Sequence, residues 1–232
     1  MIHKIVPGVL AATILDIRTH VGQVIEYVPL VQLDICDGLF VQNKTWPYSG
    51  SDMRFYNDIL NEDDGLPYWN EVNYELDLMV KDAHKKFFTD WIKLGPTHMV
   101  FHVEAESHDA FLVFLETLEP FYKETIKIGL AIETQTDVEV LRPFIPHISY
   151  IQCMGIDAIG KQGEPFSQKA IEQIKQIQSV YPGVAVTVDG GVNERVLKEL
   201  AQYNLARYVV GSALFRSFDT QGTISEFENI VS

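Results

Sequence analysis

The sequence predicts a single closed barrel of eight parallel strands surrounded by helices, the (β/α)8 or TIM barrel. Two observations support this fold: eight short apolar runs recur along the chain, and most segments between them have helical spacing. Strands that alternate with helices pair in parallel through crossover connections. An open doubly wound sheet would show the same alternation, but eight such units in 232 residues fit a barrel better.

The order of the elements follows from these patterns. The apolar runs predict strands at 5–12, 30–37, 74–80, 98–105, 126–133, 149–155, 184–190 and 206–214. Apolar residues spaced every three or four positions predict helices at 83–94, 110–123, 167–180 and 193–203. No linker divides the chain, so residues 1–232 are expected to form one domain.

One connection, 39–73, is longer than a loop and a helix require. It contains a helix-like stretch at 51–60 and then an acidic stretch, NEDDGLPYWNEVN. Two interpretations fit: a lid over the carboxyl-terminal face of the barrel, or a solvated acidic excursion at the surface.

Composition excludes several classes of partner. The formal net charge of −14 argues against binding to nucleic acid or to an anionic membrane, since both need a basic face. Cys36 and Cys153 lie in apolar runs, which favours buried free thiols over a disulfide. No apolar run approaches 18 residues and the start lacks a leader pattern, so a soluble, cytoplasmic protein is expected.

Acidic residues follow or interrupt several of the predicted strands. Asp34 lies in LVQLDICDG and Asp189 in AVTVDGGV, and neighbouring strands contribute Asp77, His102 and Glu133. A barrel gathers the carboxyl ends of all its strands around one mouth. Carboxylates that converge there repel one another, so one must hold a proton or the group must share a cation. Separate surface acids remain the alternative for Asp77 and Glu133.

Glycines after the last two strands predict a phosphate site. Gly190 and Gly191 precede a helix, and Gly211 with Ser212 closes strand 8. Loops after strands 7 and 8 of such barrels often expose backbone N–H groups to a phosphate, and glycine allows close approach. A phosphorylated ligand is therefore the leading expectation.

Five motifs, in order and correctly spaced, resemble the ribulose-phosphate 3-epimerases. Residues 32–38 with Phe40 are similar to the family's H-x-D-x-M-D-G, which has a phenylalanine two residues later. Residues 77–80 are similar to its H-L-M-V, and residues 102–105 match its HVEA. Residues 188–191 match its VDGG, and residues 211–215 match its GSA-x-F. The resemblance covers nearly the whole chain. It implies a barrel of the ribulose-phosphate-binding type, a small phosphorylated sugar as ligand and a homo-oligomer. It also implies that Asp34 and Asp189 are the acid–base pair at carbon 3 of a ketopentose phosphate.

The family's divalent metal is held by those two aspartates and two histidines, and here Gln32 and Asp77 occupy the histidine positions. The resemblance therefore implies a metal site formed by Asp34, Asp77, Asp189 and Gln32. Oxygen ligands favour Mg²⁺ or Mn²⁺ over Zn²⁺. Loss of the ion is the alternative that these substitutions leave open.

Substrate contacts also depart from the family. Gly8 stands where the family usually has a serine, Met154 matches, and 157–163, which ends in Gly163, replaces a Pro-Gly-Phe-Gly-Gly-Gln type of segment. The resemblance implies that Gly8, Met154 and Gly163 line the substrate. Lys161 could reach a phosphate or an enediolate, although a loop lysine is more often solvated.

Two other functions stay open. One is a decarboxylase or aldolase of the same phosphate-binding barrel group; the decarboxylases resemble D-x-K-x-x-D on a strand, and strand 2 has no lysine. The other is a non-catalytic phosphosugar-binding protein that has lost its metal site.

Overall fold

A computed structural model of the protein describes residues 3–161 and 163–232, so Gln162 of the predicted substrate loop lies outside the described residues. Eight parallel strands close into a barrel in chain order, β1 to β8. The predicted (β/α)8 fold is thereby confirmed. The strands are β1 (Ile5–Val9), β2 (Leu30–Cys36), β3 (Asn73–Met79), β4 (His98–His102), β5 (Lys127–Ile132), β6 (Tyr150–Met154), β7 (Ala185–Asp189) and β8 (Arg207–Val210).

Helices connect the strands on the outside of the barrel. In the described residues these are α1 (Ile14–Gly22), α2 (Met53–Leu60), α3 (His108–Thr117), α4 (Pro120–Thr125), α5 (Gln168–Val180), α6 (Glu194–Leu200), α7 (Ser212–Phe215) and α8 (Thr220–Val231). Short 3₁₀ helices occupy Ala83–Lys86, Trp91–Leu94, Val138–Leu141, Ile145–His147 and Ala201–Tyr203. Of all these helices, none has the length and apolarity that crossing a bilayer requires.

Strand alternation separates two environments. On β3, Leu76 and Leu78 belong to the apolar layer between strands and helices, whereas Glu75 and Asp77, both fully buried, lie on the other face of the strand. The register pairs Asp34 of β2 with Asp77, so the acids of neighbouring strands lie at one level of the barrel. The barrel interior is therefore unusually polar.

Two predicted helices were wrong in detail. The segment 83–94 forms two 3₁₀ helices, although Ala83, Phe87, Trp91 and Leu94 are buried as the periodicity predicts. The segment 110–123 splits into α3 and α4 because Pro120 is at the start of α4 and the residues before it are extended.

Three strands end earlier in the chain than predicted. β1 ends at Val9, β4 at His102 and β8 at Val210; the residues after Gly211 form α7 instead of continuing β8. Cys36 and Cys153 are buried free thiols, as predicted.

The connection 39–73 runs between the two ends of the barrel. Its first part stays at the carboxyl ends of the strands, where Phe40 packs against the His102 ring at 5.3 Å between centroids. Its acidic stretch instead lines a groove with Leu94 and Gly95, just before β4 begins. Only the first part is placed to cover the mouth.

Candidate active site

One cleft lies at the carboxyl ends of the strands, the face on which barrels of this kind place their ligand sites. All nine residues that the sequence assigns to proton transfer, phosphate binding and substrate contact line it. They are Gly8, Asp34, Met154, Gly163, Asp189, Gly190, Gly191, Gly211 and Ser212.

Three aspartates converge at the base of the cleft. Asp34, Asp77 and Asp189 each offer a carboxylate oxygen, and these oxygens lie within 4.8 Å of one another. Asp34 and Asp189 are partly exposed, whereas Asp77 is fully buried. The amide of Gln32 bridges Asp34 and Asp189, since Nε2 donates to Asp34 Oδ1 at 3.0 Å and to Asp189 Oδ2 at 2.8 Å.

Burial and nearby charges change the ionisation of Asp34 and Asp189. Burial raises the pKa of Asp34 well above its usual range, and the charges of Asp189 and Asp77 raise it further. Burial, then the charge of Asp77, also raises the pKa of Asp189, while the Gln32 amide opposes this shift. The group therefore retains a proton near neutrality more readily than ordinary aspartates do, unless a cation is bound.

The described side chains fit a hard divalent cation. Asp77 Oδ2 and Gln32 Oε1 are buried and find no hydrogen-bond partner among the described residues. A half-turn of the Gln32 amide would present Oε1, in place of Nε2, to an ion beside the two acids. Three carboxylates and an amide oxygen suit Mg²⁺ or Mn²⁺ better than Zn²⁺.

His102 lies beneath this cluster on β4. Its Nε2 is 2.9 Å from Asp77 Oδ1, and both side chains are fully buried. Burial acts to lower the pKa of His102, but the charge and hydrogen bond of Asp77, together with the charges of Glu104 and Glu133, produce a net upward shift. Glu133 is not among the three clustered acids; its backbone N–H donates to Glu104 Oε1 at 2.8 Å.

Glycines form the opposite wall of the cleft. Gly190 and Gly191 have φ of 106° and 69°, in the region that favours glycine. A Cβ at Gly191 would lie 2.7 Å from the backbone nitrogen of Phe166, so a larger residue would displace the β6–α5 loop. Gly211 precedes α7 on the same wall. The wall presents backbone atoms to a ligand.

The loop after β2 is fixed by two polar side chains, Thr45 and Asp37. Thr45 Oγ1 donates to the Asp34 carbonyl at 2.7 Å and accepts from Cys36 N at 2.8 Å. Asp37 accepts from the backbone N–H groups of Leu39, at 2.7 Å, and Lys81, at 2.9 Å. Asp37 is therefore a structural acid that joins two loops, and it lies outside the cluster of Asp34, Asp77 and Asp189.

The β6 loop closes one side of the cleft. Asn43 Nδ2 donates to the Gly160 carbonyl at 3.0 Å, which joins the β2 and β6 loops across the mouth. Lys161 lines the cleft and is exposed at its entrance. This loop could therefore bring a cationic side chain to a bound anion.

A second group that could hold an ion was missed from the sequence. Asp82, His84 and Glu106 bring ligand atoms together at the loops after β3 and β4. Asp82 already accepts hydrogen bonds from Ser107 and Lys85, and His84 Nδ1 contacts Glu106. These bonds join the two loops at the rim of the barrel.

Comparison with known sequences gives a consistent result. The model of the ribulose-phosphate 3 epimerase family matches residues 4–215. Ribulose-phosphate 3-epimerase from Schizosaccharomyces pombe is 26% identical over 231 residues, which are 98% of this chain and 93% of that protein. The protein of the same name from Helicobacter pylori strain J99 is 24% identical, with 98% and 97% covered.

Solved structures are similar in fold. The 3-keto-L-gulonate-6-phosphate decarboxylase from Vibrio cholerae superposes with a TM-score of 0.69 at 10% identity, covering 100% of this chain and 98% of that one. The 3-hexulose-6-phosphate synthase from Salmonella typhimurium gives a TM-score of 0.68 at 12% identity, with 98% of both chains covered. At this identity the likeness concerns the barrel alone.

Proposed function

Because the chain belongs to the ribulose-phosphate 3-epimerase family, we propose that it interconverts ketose phosphates that differ in configuration at carbon 3. The observation that carries this proposal is the bridged pair of acids, Asp34 and Asp189, in a cleft with a glycine wall. A two-base epimerisation needs one carboxylate and one carboxylic acid on opposite sides of the same carbon.

The raised pKa values suit that requirement. Since burial and mutual repulsion disfavour ionisation of both groups at once, one acid of the pair can be protonated while the other is ionised. The ionised aspartate removes the proton from carbon 3, which leaves an enediolate over carbons 2 and 3. The protonated aspartate then delivers its proton to the opposite face, and carbon 3 is inverted. The reverse reaction exchanges the two roles.

The other residues of the cleft bind and orient the sugar. Backbone N–H groups at Gly190, Gly191, Gly211 and Ser212 hold the phosphate. Gly8, Met154 and Gly163 surround the carbon chain. A divalent ion held by Asp34, Asp77, Asp189 and Gln32 Oε1 would stabilise the negative charge of the enediolate. A cytoplasmic location and a homo-oligomer stay predictions.

The proposal is tested by incubating the purified protein, with Mg²⁺ or Mn²⁺, with ribulose 5-phosphate and then with a panel of other ketopentose and ketohexose phosphates. We expect NMR to show the carbon 3 epimer of at least one of them, and epimer formation about 10³-fold slower with the Asp189→Asn variant. Carbon–carbon cleavage without epimerisation would favour the decarboxylase or aldolase alternative. Binding by calorimetry without turnover would favour the non-catalytic one.

A further inference from the structure

His102 is a buried side chain whose one polar contact in the described structure is with a proposed metal ligand. Its Nε2 is 2.9 Å from Asp77 Oδ1, and Nδ1 has no partner in the described residues. Phe40 packs against the ring, with 5.3 Å between centroids. Because the ring is enclosed, its orientation is fixed with Nε2 directed at Asp77.

This contact gives the two carboxylate oxygens of Asp77 different surroundings. Oδ1 receives the hydrogen bond from His102, whereas Oδ2 is buried and has no hydrogen-bond partner in the described part of the chain. Asp77 also belongs to the cluster with Asp34 and Asp189, where its charge raises the pKa of both. A carboxylate in such surroundings needs a fixed orientation if it is to share an ion with the other two.

We propose that His102 is a positioning residue that holds Asp77 by Oδ1, so that Oδ2 is directed at the divalent ion shared with Asp34 and Asp189. This inference rests on the proposed function, because it concerns the same metal site. It also accounts for a carboxylate at a position where the family has histidine: His102 on the next strand restrains the flexible carboxylate.

A Mn²⁺ titration followed by electron paramagnetic resonance, without substrate, tests the inference. The matched variants are His102→Gln, whose amide nitrogen can replace Nε2, and His102→Asn, which is one methylene too short to reach Asp77. We expect His102→Gln to bind Mn²⁺ within about threefold of the wild type, and His102→Asn and His102→Leu to bind about 10- to 100-fold more weakly.

A double-mutant cycle separates positioning from general stability. On the Asp77→Asn background, His102→Leu should cause little further loss of Mn²⁺ affinity, because its effect acts through the Asp77 carboxylate. His98→Leu, on the same strand, is the control and should leave Mn²⁺ affinity unchanged. Thermal unfolding of each variant identifies any that fail to fold; if His102→Leu does, the Gln and Asn pair decides.

Several results would overturn the inference: equal Mn²⁺ affinity of the Gln and Asn variants, an undiminished effect of His102→Leu on the Asp77→Asn background, or a wild type that does not bind Mn²⁺. Because the titration contains no sugar, it is independent of turnover. A protein that shows the expected binding pattern but epimerises no ketose phosphate would contradict the proposed function and leave the role of His102 intact.

Discussion

Buried charge lies at both ends of the barrel interior, and the two ends balance it differently. At the amino-terminal end, which we call the floor, Glu75 Oε2 is 2.7 Å from Arg207 Nη2 and accepts a hydrogen bond of 2.5 Å from the Tyr150 hydroxyl. The Arg207 guanidinium also lies 4.5 Å from the centroid of the Tyr150 ring. The floor therefore supplies its own counter-charge.

At the mouth, by contrast, the described part of the chain pairs no arginine or lysine with the three carboxylates. The hydrogen-bond donors to Asp34, Asp77 and Asp189 are Gln32, His102 and, at 3.5 Å, Gln152, as far as the described side chains show. Removing charge from water without a partner is costly, and such groups occur where a ligand or a proton balances them. The comparison supports a structural role for the floor and the proton-transfer role that we propose for the mouth.

The largest expected effect comes from removing one acid of the mouth. Asp189→Asn should lower kcat by about 10³-fold, because it removes one of two proton-transfer groups. It should leave the melting temperature unchanged or higher, since it also removes like-charge repulsion. Steady-state kinetics and calorimetric melting measure both effects. A variant that lost several kcal/mol of stability would show that the mouth, like the floor, is structural.

A substitution in the floor should lower stability and leave kcat almost unchanged, which is the reverse of the effect expected at the mouth. Glu75→Leu leaves the Arg207 charge buried without its partner, so we expect a loss of about 3 kcal/mol in the free energy of unfolding. The kcat of the folded fraction should stay close to wild type. Denaturant titration measures the loss, and Glu75→Leu combined with Arg207→Met should recover most of it. Failure of the second substitution to restore stability would mean that the ion pair is not the cause.

The glycine wall should affect binding more than proton transfer. Gly191→Ala places a methyl group against the backbone of Phe166, and we expect KM to rise about tenfold, or about 1.4 kcal/mol, with a smaller change in kcat. Gly183→Ala is the matched control, because Gly183 also has positive φ, 92°, but no atom lies within 4 Å of the added carbon. Equal changes in KM for both variants would point to backbone strain instead of the phosphate site.

The ionisation of the two acids should also appear as a pH dependence of stability in the metal-free protein. A carboxyl group whose pKa is higher in the folded chain binds more protons there, so stability falls as pH rises from the usual 3.8 through the raised value. Each pH unit by which a pKa is raised corresponds to about 1.4 kcal/mol. The Asp34→Asn/Asp189→Asn variant should lose less stability between pH 4 and 8. If the wild type and this variant lost the same stability between pH 4 and 8, the raised pKa values of Asp34 and Asp189 would be contradicted.

The residues that line the cleft could be predicted from the sequence, because a barrel brings the carboxyl ends of all its strands to one face. Once Asp34 and Asp189 are at the ends of parallel strands, closure brings them to the same mouth, together with Gly190 and Gly211. The fold class followed from the same rhythm of apolar and amphipathic segments.

Contacts between strands could not be predicted in the same way. The bond from His102 to Asp77 depends on the register of β3 with β4, and the bridging position of Gln32 depends on side-chain orientation. The helix at 83–94 was wrong for a related reason: periodicity reports which side chains are buried, not how the backbone between them is bonded. The location of the acidic stretch depends on the path of a long connection, which local patterns do not specify.

Solvent isotope exchange at carbon 3 is the most direct test of the proton-transfer role proposed for the mouth. In heavy water with Mg²⁺ or Mn²⁺, the wild-type protein should incorporate deuterium at carbon 3 of ribulose 5-phosphate while it forms the epimer, and the Glu75→Leu/Arg207→Met floor variant should do the same. Absence of exchange with every ketopentose and ketohexose phosphate, with either metal, would contradict the assignment of Asp34 and Asp189 as a proton-transfer pair.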